Sequence, residues 1–383
     1  MNVAVIGAGT MGSGIAQVAA QAGHNVVLFD THKEAVDKAL AGLRKILDKL
    51  VEKGKFTAEQ ADGIHGRITP ASDLKDLVGS GLVIEAIIED LDIKQKLFAE
   101  LEGILATDAI LATNTSSLSV TAIAGSLKYP ERMVGLHFFN PAPLLPLVEV
   151  VPGLATAPDL AQRCAALMTA WGKAPVIGKD TPGFIVNRVA RPFYGEAIRI
   201  YEEGIADMPT IDAAMKSVGF KMGPFELMDL IGNDINFTVT KTVWEAFFYD
   251  PRYKPSFTQQ RQVESGRLGR KTGRGYYSYA EGTTLPAPQV DMVLGNSIVE
   301  RVLAMLINEA ADALFWGVAS AKDIDLAMTK GVNYPKGLLA WADEQGAAHW
   351  LGILETMQQE TGEDRYRPSP LLRRMARQGG LFH

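Results

Sequence analysis

Apolar residues near the start of the chain come in short unbroken runs, "VAVI" from Val3 and "VVLF" from Val26, with the helically spaced "MGSGIAQVAAQ" between them. Unbroken runs of this length predict strands buried on both faces, since a half-exposed strand would alternate apolar and polar residues. "GLVIEAIIE", "AILATN", "MVGLHFFN" and "LVEVVPG" continue the strand series, and "DIKQKLFAELEGIL" reads as a helix between two of them. Strands alternating with helices predict a Rossmann-type α/β domain, a mostly parallel sheet with helices on both faces, over residues 1–182. From Thr181 the apolar period becomes 3.6, and the rest of the chain reads as helices.

The helical part repeats itself. "IVNRVARPFYGEAIRIYEEGIADMPTIDAAM" from Ile185 aligns without a gap on "IVERVLAMLINEAADALFWGVASAKDIDLAM" from Ile298. With one residue inserted in the later segment, Gly223, Asp229 and Gly232 match Gly337, Asp343 and Gly346. Matches at glycines and acids do not follow from helical periodicity. They predict two copies of an all-helical domain, residues 183–283 and 297–383, joined by a Pro/Gly-rich linker over 284–296. Asn187 of the first copy is Glu300 in the second, so a site that uses Asn187 cannot exist twice, and the second copy is expected to be non-catalytic.

Gly7, Gly9 and Gly12 form G-x-G-x-x-G directly after the first strand and open a helix. The first glycine permits the tight turn, the second lets a pyrophosphate approach the backbone, and the third lets helix and strand pack closely. With Thr10 and Met11 between them, these residues are the expected phosphate-binding turn of a dinucleotide site. Asp30 ends the second strand, where a carboxylate accepts from both ribose hydroxyls of NAD and repels the 2′-phosphate of NADP. NAD is the expected cofactor. Glu89, Asn114 and His137 fall at or just past the carboxyl ends of predicted strands, where ligands of such sheets bind. His137, in "GLHFFNP", reads from the residues alone either as a core histidine or as the base of an active site.

Composition narrows the setting. A chain of 383 residues suggests two or three domains, and 47% hydrophobic residues suffice for packed cores. A net charge of −6 offers no global footprint for nucleic acid or an anionic membrane, and no apolar run approaches the roughly 18 residues of a membrane span. The single cysteine, Cys164, excludes a disulfide within the chain and reads as an inert thiol on an apolar helix face. The first strand is expected within three residues of Met1, so no signal peptide is expected. A cytoplasmic location is expected, and no metal site, because the six histidines lack ligand spacing.

The stretches "VAVIGAGTMGSGIA", "NTSSLSVTAIA", "GLHFFNPAP", "LVEVV", "DTPGFIVNRV" and "MGPFELMDLIG" resemble, in this order, the L-3-hydroxyacyl-CoA dehydrogenases over essentially the whole chain. The duplicated tail is similar to the longer bacterial members of phenylacetate catabolism, which act on 3-hydroxyadipyl-CoA. The resemblance implies hydride transfer between NAD and C3 of an (S)-3-hydroxyacyl-CoA. It makes His137 the general base, Glu149 its partner, and Ser116 and Asn187 the ligands of the substrate oxygen, and it places Glu89, Lys94 and Asn114 at the NAD. It also implies that lysines of "KEAVDKALAGLRKILDKLVEKGK", Lys49 and Lys53 among them, hold coenzyme A, and that the second helical copy packs on the first as an internal pseudo-dimer, with a homodimer of whole chains also open. Two positions depart from many relatives: Pro146 stands where a lysine is common, and Lys221 where a proline is. Lys221 is expected as a solvated loop residue, the sharper alternative being a receiver for a distal acyl carboxylate. The competing functions are a dehydrogenase of small hydroxy acids or sugar acids, and a non-catalytic NAD-binding protein like the related lens crystallins.

Overall fold

The computed structural model describes residues 1–383 and divides into two compact units, Met1–Phe184 and Ile185–His383. In the first, β1 (Asn2–Ile6), α1 (Thr10–Gln21) and β2 (Asn25–Phe29) precede α2 (Lys33–Glu52), α3 (Ala58–Gly66) and β3 (Ile68–Pro70). Next come β4 (Leu82–Glu85), α4 (Leu91–Ile104), β5 (Ile110–Thr113) and α5 (Val120–Ala124). The unit ends with β6 (Met133–Phe138), β7 (Leu147–Pro152), α6 (Leu160–Ala170) and β8 (Ala174–Ile177).

The eight strands form one sheet in the order β3-β2-β1-β4-β5-β6-β7-β8. All pairs are parallel except β6 with β7. Alternate residues of one strand enter different cores: Val3 and Val5 pack with Ile15, Leu28 and Leu47, while Ala4 and Ile6 pack with Phe98 and Leu101 on the other face. Burial on both faces is why these strands read as unbroken apolar runs. Chain order reverses between β1 and β4, and that reversal opens the crevice at the carboxyl ends where ligands of such sheets sit.

The second unit is helical: α7 (Val186–Val189), α8 (Arg191–Glu202), α9 (Met208–Ser217), α10 (Pro224–Ile231), α11 (Asn233–Ala246) and α12 (Phe257–Glu264). It continues with α13 (Met292–Phe315), α14 (Ala321–Gly331), α15 (Leu338–Gln345), α16 (Ala347–Thr361) and α17 (Pro370–Gln378). α13 starts inside the expected linker, because Asp291 accepts from the N–H groups of Val293 and Leu294 and caps a helix there. From Val302 to Ala313 every residue of α13 is buried. It is a central helix, packed against α8, α9, α15, α16 and α17.

Two ion clusters bind α13 to the first helical segment. Arg188 pairs with Glu309 at 2.6 Å and with Asp312 at 3.0 Å, Arg252 reaches the same two acids, and the Tyr253 hydroxyl donates to Glu309. Arg301 pairs with Glu196 and Glu203, each at 2.6 Å, and the Tyr366 hydroxyl donates to Glu196. A shift of 113 positions carries Arg188 to Arg301, Glu196 to Glu309 and Tyr253 to Tyr366. Two further features recur. Asp212 accepts from the N–H groups of Phe225 and Glu226, and Asp325 from those of Leu339 and Ala340. Asp229 accepts from the N–H groups of Tyr276 and Tyr277, and Asp343 from those of Phe382 and His383.

Candidate active site

At the switch point the glycines are there for steric reasons. Gly7 has φ +100°, and a Cβ on it would stand 2.5 Å from the carbonyl oxygen of Ala86, just beyond β4. A Cβ on Gly12 would fall on the carbonyl of Gly7, whereas one on Gly9 would meet nothing within 4 Å. The turn is thus tight on the protein side and open where a pyrophosphate would lie, and α1, with Thr10 and Met11 in its first turn, offers its free N–H groups there. Asp30 follows β2. Its Oδ2 accepts from Ala8 N–H at 2.8 Å and its Oδ1 from His32 N–H at 2.9 Å. Both contacts fix the carboxylate and leave acceptor capacity for ribose hydroxyls. These residues fit NAD.

Beyond β4 and β5, Glu89 organises the loop that carries Ser116. Its Oε1 accepts from Thr115 Oγ1 at 2.7 Å, Ser116 N–H at 2.9 Å and Ser117 N–H at 3.1 Å. Lys94 is buried beneath it, 2.5 Å from the fully buried Glu85 and 3.3 Å from Glu89. The ammonium of Lys94 therefore faces two carboxylates of its own unit. Burial pushes the Glu89 carboxyl up, but Lys94 and the hydrogen bonds from Thr115, Ser116 and Ser117 outweigh it and hold Glu89 below the usual range. A lowered carboxyl contributes stability above its unfolded value, about 4.3, and loses it as pH falls through the folded value. The stability difference between wild type and Glu89→Gln should therefore shrink as pH is lowered from 6 to 3, measured by urea unfolding. The helix after this loop is capped by Ser119, which accepts from Ala122 N–H, and Ser116 is not its cap.

His137 and Glu149 are directly opposite in the antiparallel β6–β7 pair. Glu149 is fully buried, and its Oε2 lies 2.6 Å from His137 Nδ1. A carboxylate can only accept, so Nδ1 carries a proton, and in the neutral ring the lone pair is therefore on Nε2. Nε2 makes no hydrogen bond within the chain. The ring packs against Phe139, with centroids 4.4 Å apart, and Phe184, at 5.9 Å. Asn114 pins the end of β6 by accepting from Phe138 N–H at 2.8 Å. The Asn140–Pro141 bond that follows is cis.

In the helical unit, Asn187 is partly buried on α7, while Glu300 is exposed on α13, 3.9 Å from His349. Lys221 is also exposed, donating to Asn333 at 3.4 Å. On α2, Lys38, Lys45, Lys49 and Lys53 are exposed and form no ion pair, in contrast to Arg44, which is held by Asp48 and Asp62. Sequence reading missed the Glu85–Lys94–Thr113 network, in which Thr113 Oγ1 donates to Glu85 at 2.7 Å. Its signal was a carboxylate closing the otherwise apolar run "LVIE".

Comparison with known proteins agrees with this architecture. The family described as 3-hydroxyacyl-CoA dehydrogenase, NAD binding domain, matches residues 2–181, and its C-terminal domain matches residues 183–279 and 298–381. The 3-hydroxyadipyl-CoA dehydrogenase of Escherichia coli (strain K12) is 42% identical, with 98% of this chain and 97% of that protein covered. The 3-hydroxybutyryl-CoA dehydrogenase of Clostridioides difficile is 42% identical over 73% of this chain and 99% of its own. A crystal structure of 3-hydroxybutyryl-CoA dehydrogenase from Escherichia coli K12 superposes with a TM-score of 0.94 at 40% identity, covering 99% of this chain and 98% of that one. With both domains matched in order along nearly the full length, the chain belongs to the 3-hydroxyacyl-CoA dehydrogenase family of NAD-dependent oxidoreductases.

Proposed function

We propose that the chain interconverts an (S)-3-hydroxyacyl-CoA and its 3-oxoacyl-CoA with His137 as general base. The observation that carries this reading is the His137–Glu149 pair at the carboxyl end of the sheet, with Nδ1 held and Nε2 unengaged. NAD, when bound, accepts or returns the hydride at C3. Nε2 takes the C3 hydroxyl proton in one direction and gives it back in the other, and Glu149 stabilises the imidazolium in between. Ser116 and Asn187 hold the oxygen as neutral hydrogen-bonding groups. Gly7, Gly9, Thr10, Met11, Gly12 and Asp30 hold the dinucleotide with Asn114, and Lys94 acts on it through Glu89. The exposed Lys49 and Lys53 meet the phosphates of coenzyme A. A lone, buried Cys164, whose thiol burial pushes up to about 11, suits a reducing cytoplasm.

The test is NADH consumption with acetoacetyl-CoA. Rapid turnover with NADH, slow turnover with NADPH and none on free 3-oxo acids are expected. No turnover with any 3-oxoacyl-CoA of short chain would overturn the reading in favour of a non-catalytic NAD-binding protein.

Residues 183–283 and 297–383 are, on the same reading, two copies of one domain joined as an internal pseudo-dimer. The 113-residue exchange of the two ion clusters supports this, because contacts that swap partners are what a two-fold interface produces. So do the matching carboxylates Asp212 with Asp325 and Asp229 with Asp343. With Glu300 turned to solvent, the second copy serves packing rather than chemistry.

A further inference from the structure

In the helical unit, α8 borders a cavity of about 480 Å³ whose wall includes Arg191, Gly195, Thr240, Lys254, Ser256 and Gln259. Arg191 is 8% exposed and has no carboxylate within ion-pair distance, so burial pulls its pKa down. Its Nε donates to the Asn187 carbonyl at 2.9 Å, its Nη1 to Thr240 Oγ1 at 3.3 Å, and the guanidinium lies 5.0 Å from the centre of the Tyr194 ring. Nη2 makes no hydrogen bond and is not sealed from the cavity. The other buried arginines of the unit are paired: Arg188 and Arg252 with Glu309 and Asp312, Arg365 with Glu363. A buried guanidinium left without an anion is costly and needs a reason.

Gly195 poses the same question. It lies in the interior of α8, where glycine is less stable than alanine. A Cβ on it would meet nothing within 4 Å, and its φ is not left-handed, so neither crowding nor backbone geometry requires a glycine. What this glycine does is keep the cavity wall clear.

The second helical segment uses the corresponding space differently. Along the repeat, Gly195 corresponds to Asn308, and Lys254, Pro255 and Ser256 to Arg367, Pro368 and Ser369. Asn308 bridges α13 to that loop: its Nδ2 donates to the Arg367 carbonyl at 3.0 Å, and its Oδ1 accepts from the Ser369 N–H at 2.7 Å. In the first segment there is no side chain at position 195 to do this, and the Ser256 N–H makes no hydrogen bond within the chain. Arg191 corresponds to Ala304, Thr240 to Leu354 and Gln259 to Leu372, and all three counterparts are buried and apolar. The framework therefore packs without the cation and with the gap bridged. The first segment keeps a cation, an unanswered N–H and room beside both.

The chemistry of the wall indicates an occupant. Arg191 Nη2 and the Ser256 N–H can only donate, and the exposed ammonium of Lys254, which forms no ion pair, adds positive charge to the same wall. Donors around a buried guanidinium call for an anion, and a carboxylate accepts on both of its oxygens. Ile198, Phe237, Trp244 and Met305 complete the wall with apolar surface, which suits hydrocarbon behind the carboxylate rather than further charge. The volume falls within the roughly 300–1,000 Å³ of small-molecule sites.

We propose that this cavity binds a free carboxylic acid with an apolar body, its carboxylate on Arg191 and the Ser256 N–H and its hydrocarbon against Phe237 and Trp244. This ligand is separate from the acyl-CoA substrate, and the proposal stands whether or not the chain is a dehydrogenase of the kind proposed above.

Isothermal titration calorimetry of the full chain with octanoate, octanol and inorganic phosphate tests it. Wild type should bind octanoate, and should bind octanol and phosphate more weakly. Arg191→Leu should weaken octanoate binding about 10–100-fold by removing its charge-assisted hydrogen bonds. Gly195→Leu keeps the cation but fills the cavity. It should abolish octanoate binding while its melting temperature stays at or above that of wild type, because leucine is the better helix former. This second variant decides the matter if Arg191→Leu fails to fold. Octanoate binding that survives Gly195→Leu unchanged, or a wild type that binds no octanoate, would overturn the site. Octanol or phosphate bound as tightly as octanoate would overturn the assigned ligand class.

Discussion

His137→Gln is expected to lower kcat for NADH-dependent reduction of acetoacetyl-CoA by about 10²–10⁴-fold, the usual worth of a positioned base. Glutamine fits the space beside Phe139 and Phe184 and can still donate to Glu149, so the sheet should remain intact. What it cannot do is carry a proton. The limb of the pH–rate profile that reports an ionising base should therefore vanish in the variant, a result that a merely structural histidine would not give. Glu149→Gln separates the two functions of the dyad. It keeps a hydrogen-bond partner for Nδ1 but withdraws the charge that stabilises the imidazolium, and it should cost less than His137→Gln. Unchanged turnover in His137→Gln would make this histidine a core residue after all.

Glu309→Ala is expected to be the most damaging single change for stability. Glu309 is fully buried and serves Arg188, Arg252 and the Tyr253 hydroxyl together. Both arginines hold it ionised against the burial that pushes it the other way. Its removal leaves two buried guanidinium groups sharing Asp312 alone. Breaking such a cluster on one side costs about 3–5 kcal/mol, or roughly 10 °C in Tm for a unit of this size. Glu264→Ala, which removes the exposed partner of Arg261 and Gln260, should change stability by less than about 1 kcal/mol. Circular dichroism melts of the three proteins decide it. A small effect of Glu309→Ala would mean that the two helical segments are held by apolar packing and that the ion clusters contribute little.

The sequence announced the parts of the fold that obey one period for many residues. β1, β2, β5, β6 and β7 are apolar enough to be read directly, and the glycine turn between β1 and α1 follows from its spacing. β3 and β8 escaped because edge strands of three or four residues, each carrying a proline, lack a distinctive pattern. The run "GLVIEAIIE" promised a longer strand than exists. Glu85 turns its carboxylate back to Ile87 N–H and Lys94, which ends β4 and makes the rest a loop. Lys94 was expected at the NAD from the resemblance alone, because nothing local reveals that two carboxylates enclose it. The start of α13 was hidden by Gly295 in its first turn, although Asp291 was a cap in plain view. At the site, family motifs drew attention to His137, Glu149, Ser116 and Asn187.

The cross-strand register of His137 and Glu149 carries a mechanical consequence. The spacing of the two side chains is set by the β6–β7 hydrogen-bond ladder, with Asn114 bracing its end, rather than by a loop that must close. Breathing of the surface can admit or release ligands without detuning the base. Orientation is lost only when the ladder itself opens, so during gradual denaturation residual proton-transfer capacity is a built-in gauge of whether the middle of the sheet is still zipped.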